Sequence, residues 1–185
     1  MIGLILAVEN MHSGTSFRPG DILKTMSGKI IEVLNTDAEG RIILADALIY
    51  AKKYNPRLVV DVATLTGAAS VAVGQKASAI FSKDENLIKL FRSLGEESGD
   101  YVWPLPLWDE FEDDIKGTFG DVINTGKTRW GGASLGAIFL YQFAKEYPWA
   151  HIDIAPRMTS IDGEFLAKGS VGAPVRLLIK LIEKY

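Results

Sequence analysis

Asp37 and Glu39 are two carboxylates one residue apart, and Arg41 follows two residues later. Hard divalent cations take carboxylate oxygens as ligands, and neighbouring acids repel one another unless a cation sits between them. Ala38 and Gly40 flank the pair and let the backbone approach a ligand closely. Arg41 adds a fixed positive charge with a forked set of donors. One reading is therefore a metal site, with Asp37 and Glu39 as ligands and Arg41 as a clamp for an anion or a transition state. The other reading is structural. An Asp near a helix start caps it, an acid there suits the helix dipole, and Arg41 pairs with Glu39. Two carboxylates make an incomplete metal site, so spacing alone favours the structural reading.

The elements around this segment alternate. Residues 28–34 read as a strand, and residues 41–53 place Ile42, Ala45, Leu48 and Ile49 at helical spacing. Strands are expected at 58–62, 77–81 and 150–154. Helices are expected at 86–97 with Asp84 as cap, at 134–146 ending before Pro148, and at 175–184 with Pro174 in the first turn. Such alternation predicts an α/β fold: one domain over 1–185, three-layered, with a mostly parallel twisted sheet and helices on both faces. Ligands of such folds bind at the carboxyl ends of the strands. Segments 35–41, 63–67 and 155–158 each follow a strand, and they are expected to converge on one sheet edge.

Composition narrows the class. The 185 residues suffice for a full hydrophobic core, and 48% hydrophobic with 23% charged residues is an ordinary globular balance. A net charge of -3 without a basic stripe argues against nucleic acid as a partner. The lack of cysteine removes disulfides, thiolate metal sites and thiol nucleophiles, and fits a reducing compartment. The opening run MIGLILAV has no basic residue before it and is cut short by Glu9 and Asn10, so it resembles neither a signal peptide nor a membrane span. It reads as a buried helix or strand, and an apolar element at the first residue suggests a chain that starts inside a larger fold. Ser13-Gly14-Thr15-Ser16 lacks the Gly-Lys-Ser/Thr of a phosphate loop. The four tryptophans are scattered, which favours packing or subunit contact over a stacking platform.

The string Asn35-Thr36-Asp37-Ala38-Glu39-Gly40-Arg41 resembles the signature heptapeptide of the leucyl (cytosol) aminopeptidase family. A given heptapeptide arises by chance in a chain of this size with probability on the order of one in ten million. Glu9-Asn10-Met11, residues 18–21, 26–29, 61–67 and 149–155, and Asp121-Val122-Ile123-Asn124 with the glycine-rich 131–136 stretch resemble family segments in family order. The resemblance implies a carboxyl-terminal catalytic domain of a two-metal exopeptidase, with zinc or manganese as the two divalent ions and bicarbonate bound beside them. It implies that Asp37 ligates one metal, that Glu39 bridges both, and that Arg41, with the bicarbonate, assists proton transfer from an activated water. Backbone groups of Ala38, Gly40 and Leu65 match bicarbonate-holding positions. Thr64, Gly67, Ala155 and Met158 match positions that hold the substrate backbone or line the pocket for its first side chain, and their small or apolar types suit leucine. Without the resemblance, Met158 reads as core and Thr64 as a helix cap. The family uses no histidine in this site, so His12 reads as a loop residue and His151 as a strand residue with a structural hydrogen bond.

The resemblance also implies a cytoplasmic hexamer acting on peptides, with no membrane. The family's other metal ligands, a lysine and two aspartates, and its second catalytic lysine lie upstream of the segment where this sequence starts. The expectation is therefore a partial catalytic domain with little or no peptidase activity alone, dependent on an upstream segment. The competing expectation is a non-catalytic assembly or binding module derived from the same fold.

Overall fold

The computed structural model describes residues 1–9, 11–166 and 168–184; Asn10, within one of the family-like segments, lies outside them. Seven strands run in chain order: β1 (Ile22–Lys24), β2 (Ile30–Glu32), β3 (Val59–Ala63), β4 (Ser78–Phe81), β5 (Val102–Pro104), β6 (Val122–Ile123) and β7 (Trp149–Asp153). Five helices are interspersed: α1 (Glu39–Ala51), α2 (Gly67–Val73), α3 (Glu85–Ser98), α4 (Gly132–Tyr141) and α5 (Val175–Lys184). The protein is α/β, and its contacts gather into two compact units. The first comprises residues 1–59, 108–130 and 135–148, the second residues 60–107, 131–134 and 149–185.

In the first unit β1 and β2 form an antiparallel hairpin, and β6 joins β2 in parallel. The hairpin turns through Gly28 at φ +87°, a left-handed conformation that favours glycine. Helix α1 buries Leu44, Ala45, Leu48 and Ala51, one face at helical spacing. Its far end is tied down where the Tyr147 hydroxyl donates to the Leu48 carbonyl at 2.7 Å. Helix α4, which belongs to this unit from Leu135 on, is buried from there to Leu140, which matches its apolar sequence.

Glu32 closes this sheet. Its carboxylate, almost fully buried, accepts hydrogen bonds from the backbone amides of Phe119 and, at 2.6 Å, Gly120, and so fixes the turn before β6. Burial pushes its pKa up, but the amides of Gly120, Phe119 and Thr118 outweigh this and hold it below the ordinary 4.5. A carboxylate with a lowered native pKa stabilises the fold fully above its unfolded pKa, and that contribution fades as pH falls through the native one. The stability gap between the parent and Glu32→Gln is therefore expected to be largest near neutrality and to shrink below about pH 4.5. Urea unfolding at several pH values measures this; a gap that widens in acid contradicts the assignment.

The second unit carries the four-stranded sheet in the order β3-β7-β4-β5. β4 and β5 are parallel, while β4 and β7 are antiparallel. Hydrogen bonds from Val59 N to the Pro148 carbonyl and from Ile154 N to the Ala63 carbonyl bracket β3 and β7, which makes that pair parallel. Every residue of β4 and β7 is buried, so both faces of the central strands are covered. Helix α3 is capped by the Asp84 side chain, which accepts from Asn86 N at 2.7 Å, and it ends at Gly99 in the left-handed region. Its Leu87, Ile88, Phe91 and Leu94 line the core, and α3 packs on β5 and α5. Asp100 accepts from the Arg176 and Leu177 amides at 2.9 and 3.2 Å, satisfying the orphan donors at the start of α5.

The opening run departs from expectation. Residues 1–9 form neither helix nor strand, and Ile2, Ile5 and Val8 are exposed. An apolar run becomes a strand only where a neighbouring edge takes its amides, and the described residues give this one no such edge. The sequence also left β1, β5, β6 and α2 unread. Three of these are strands of two or three residues, too short to carry a period.

Candidate active site

Segment 34–38 leaves β2 and turns into α1. Asn124, at the end of β6 and completely buried, shapes this turn. Its Oδ1 accepts from the amides of Leu34 (2.8 Å) and Asn35 (3.2 Å), and its Nδ2 donates to the carbonyls of Asn35 (2.6 Å) and Ala38 (3.3 Å). Asn35 adds a local turn, its side-chain oxygen accepting from Asp37 N at 3.0 Å. All four backbone groups are gripped by one amide side chain, so the loop bearing Asp37 has a fixed shape.

The residue at the start of α1 is Ala38, and no side chain caps the helix there, so Asp37 is not its cap. The amides of the first turn, including Gly40, have no acceptor within the helix. Among the described residues, neither the Asp37 nor the Glu39 carboxylate makes a hydrogen bond or an ion pair. Arg41, one helical step on, is only 8% exposed. Asp37, Ala38, Glu39, Gly40 and Arg41 thus lie together in the first unit, as a pair of uncommitted carboxylates beside an uncapped helix start and a buried guanidinium.

The other candidates lie in the second unit. Thr64 and Leu65 follow β3, and Gly67 opens α2, capped by Thr66, whose hydroxyl oxygen accepts from Ala69 N at 3.2 Å. Ala155 follows β7 at the head of a short 3-10 turn, Ala155–Arg157, that packs on α2. Asp153, the last residue of β7, links the two strand ends. Its Oδ1 accepts from both Leu65 N and Ala155 N at 3.1 Å, and its Oδ2 accepts from the Thr66 hydroxyl at 2.7 Å. Leu65 and Ala155 are thereby brought together. The Leu65 amide hydrogen is committed to Asp153. Met158 is 53% exposed, so it is not core. It follows Arg157, which donates to the Gln75 carbonyl at 2.7 Å and pairs with Glu164 at 2.8 Å. The Ile161 amide and Arg157 hold the Glu164 carboxyl below the usual carboxylate range. Of the histidines, His12 lies in the irregular amino-terminal segment, whereas His151 is buried in β7 with Nδ1 2.6 Å from Asp61.

The residue pattern of a cytosol aminopeptidase family catalytic domain matches residues 1–179. The chain belongs to the cytosol aminopeptidase family. It is 49% identical over 182 residues to a probable cytosol aminopeptidase of Histophilus somni, covering 98% of this chain and 36% of that protein. A probable cytosol aminopeptidase of Syntrophotalea carbinolica is 48% identical over 185 residues, 37% of its own length. Among solved structures, a mutant of tomato leucine aminopeptidase superposes with a TM-score of 0.89 at 39% identity, over 96% of this chain and 34% of that one. The chain therefore spans about a third of the length of the family members it matches.

Asn124 and Asp153 are the residues whose function the sequence understates. Both are polar groups set against apolar strand residues, Val122-Ile123 before Asn124 and Ile152 and Ile154 around Asp153. Such a break in an apolar run is the signal that a buried side chain has backbone partners elsewhere.

Proposed function

We propose that this chain is the carboxyl-terminal part of the catalytic domain of a metal-dependent aminopeptidase, which releases amino-terminal residues, leucine-like ones preferred, from peptides. The observation that carries the reading is the pair of uncommitted carboxylates at the uncapped start of α1. Family membership supports the peptidase chemistry.

Asp37 and Glu39 have the donor chemistry of hard-cation or zinc ligands. They do not fit a two-metal centre by themselves. Among the described residues no three His, Cys, Asp or Glu side chains gather as a metal site. The remaining donors are assigned to polypeptide outside these 185 residues. What this chain contributes alone is a place for an anion. The first-turn amide of Gly40 and the Arg41 guanidinium are donors at the positive end of a 13-residue helix, suited to bicarbonate. The Ala38 amide makes only a long 3.3 Å bond to the Asn35 carbonyl and adds a third donor beside them. Thr64, Gly67, Ala155 and Met158 bind the substrate backbone and its first side chain. Among the described residues no helix is long and apolar enough to cross a membrane. A cytoplasmic hexamer, as the family resemblance implies, is the proposed working form.

The reading is tested by replacing the matching segment of the Histophilus somni protein with this chain. The chimera is expected to hydrolyse leucyl peptides and to lose that activity on chelation, while the 185-residue chain alone releases no leucine. A folded but inactive chimera, beside an active parent, contradicts the proposed function. Robust release by the chain alone contradicts the assignment of donors to other segments.

A further inference from the structure

We infer that Asp153 is a positioning residue for the substrate-binding turns: through one carboxylate it sets where the Leu65 and Ala155 backbones stand. The inference rests on the reading of Thr64, Leu65, Gly67 and Ala155 as the substrate side. Asp153 is completely buried, and its recorded partners are two backbone amides and one hydroxyl, with no cationic side chain among them. A carboxylate is costly to bury without compensation, and ordinary strand packing at this position needs only an apolar side chain. The partners it takes are all at strand ends. Leu65 and Thr66 lie between β3 and α2, and Ala155 begins the turn after β7.

The geometry explains why one residue governs both turns. Leu65 and Ala155 donate to the same oxygen, Oδ1, each at 3.1 Å, so their amide nitrogens are held around a single point. The second oxygen takes the Thr66 hydroxyl, and that hydroxyl's oxygen caps α2 through Ala69 N. The start of α2, where Gly67 stands, is therefore fixed by the same group. With both amide hydrogens turned towards Asp153, the Thr64–Leu65 and Ile154–Ala155 peptide units are oriented; the Ile154 carbonyl is taken by Arg157 N at 2.8 Å, and the Thr64 carbonyl is the acceptor left for a peptide substrate, which offers a free amino group and backbone amides. The side chain is one step removed from substrate, and its effect falls on binding rather than on bond cleavage.

The test compares Asp153→Ala with Asp153→Asn. In the 185-residue chain, amide hydrogen exchange at Leu65 and Ala155 reads the anchor directly, whatever the activity. The Ala variant is expected to lose protection at both amides, and the Asn variant to keep it, because its one oxygen is enough for two donors and its amide nitrogen can donate to Thr66. In the chimera, Asp153→Ala is expected to raise KM for leucyl peptides about 10-fold or more with a smaller change in kcat, as displaced binding groups do. Asp153→Asn is expected to restore KM to within about 3-fold of the parent. Asp100→Ala, which frees the start of α5, serves as a control of general destabilisation and should leave KM unchanged. Amides that stay protected in Asp153→Ala overturn the anchor, and an unchanged KM with exposed amides overturns its role in binding. Should the Ala variant not fold, the Asn variant decides: a folded Asn variant with KM raised beyond about 10-fold overturns the inference, and a near-parental KM supports it. An inactive parent chimera would instead count against the proposed function, leaving the exchange result to judge the anchor.

Discussion

Asp37→Asn and Glu39→Gln, each made in the chimera with the Histophilus somni protein, are expected to lower leucyl-peptide hydrolysis by more than the roughly 100-fold that loss of a supporting hydrogen bond around a metal costs. Both changes keep side-chain shape and remove the charge. Neither carboxylate supports the fold through a hydrogen bond or ion pair among the described residues, so thermal stability should stay near that of the parent. This separation is what makes the experiment informative. A structural acid would show the opposite pattern, with stability lost and turnover kept. Calorimetry with zinc or manganese supplies the second readout, in which both variants should bind metal more weakly. If either variant binds metal and turns over substrate like the parent, that residue is not a ligand.

The largest effect on stability is expected at Asp61. Its Oδ2 accepts from the Trp149 indole at 2.6 Å, and its Oδ1 lies 2.6 Å from His151 Nδ1. All three residues are buried, and the imidazole stacks against the Phe81 and Trp149 rings. His151 Nε2 has no hydrogen-bond partner among the described residues, so Asp61 is the only recorded polar contact of the ring. Asp61→Ala removes an acceptor from the indole N–H and strands the imidazole, and is expected to cost about 3–5 kcal/mol. In a chain of this length that corresponds to a fall in Tm of roughly 10 °C. The double variant with His151→Leu should cost less than the sum of the two single changes, because the second substitution removes a group that the first has orphaned. Simple additivity in a scanning calorimetry series contradicts this account.

The longer elements were legible because their signals are local. Helices α3 and α5 follow from apolar periodicity and from Asp84 and Pro174 at their starts. The site was legible in part, and only because Asn35 to Arg41 form a family string. From spacing alone Asp37 reads as a cap, whereas the structure begins the helix at Ala38 without one. The rest depends on partners distant in sequence. Asn124 meets residues about 90 positions earlier, and Asp153 meets Leu65 at a separation of 88. No window of sequence contains both ends of such a contact. The antiparallel step between β4 and β7 is hidden for the same reason, since Ala79 faces Asp153 across most of the second unit's sequence.

The grip of Asn124 on residues 34–38 also sets an order of events during synthesis. The heptapeptide leaves the ribosome first, but the side chain that gives it shape is translated 89 residues after Asn35. At about 5–20 residues per second, the acidic loop spends roughly 5–20 s as unmoulded chain. Throughout that interval Asp37 and Glu39 are on hand without their fixed setting, and any cation they meet finds two flexible acids. The fixed shape of the acidic loop therefore belongs to a late stage in the making of this protein, after its signature has long been in solution.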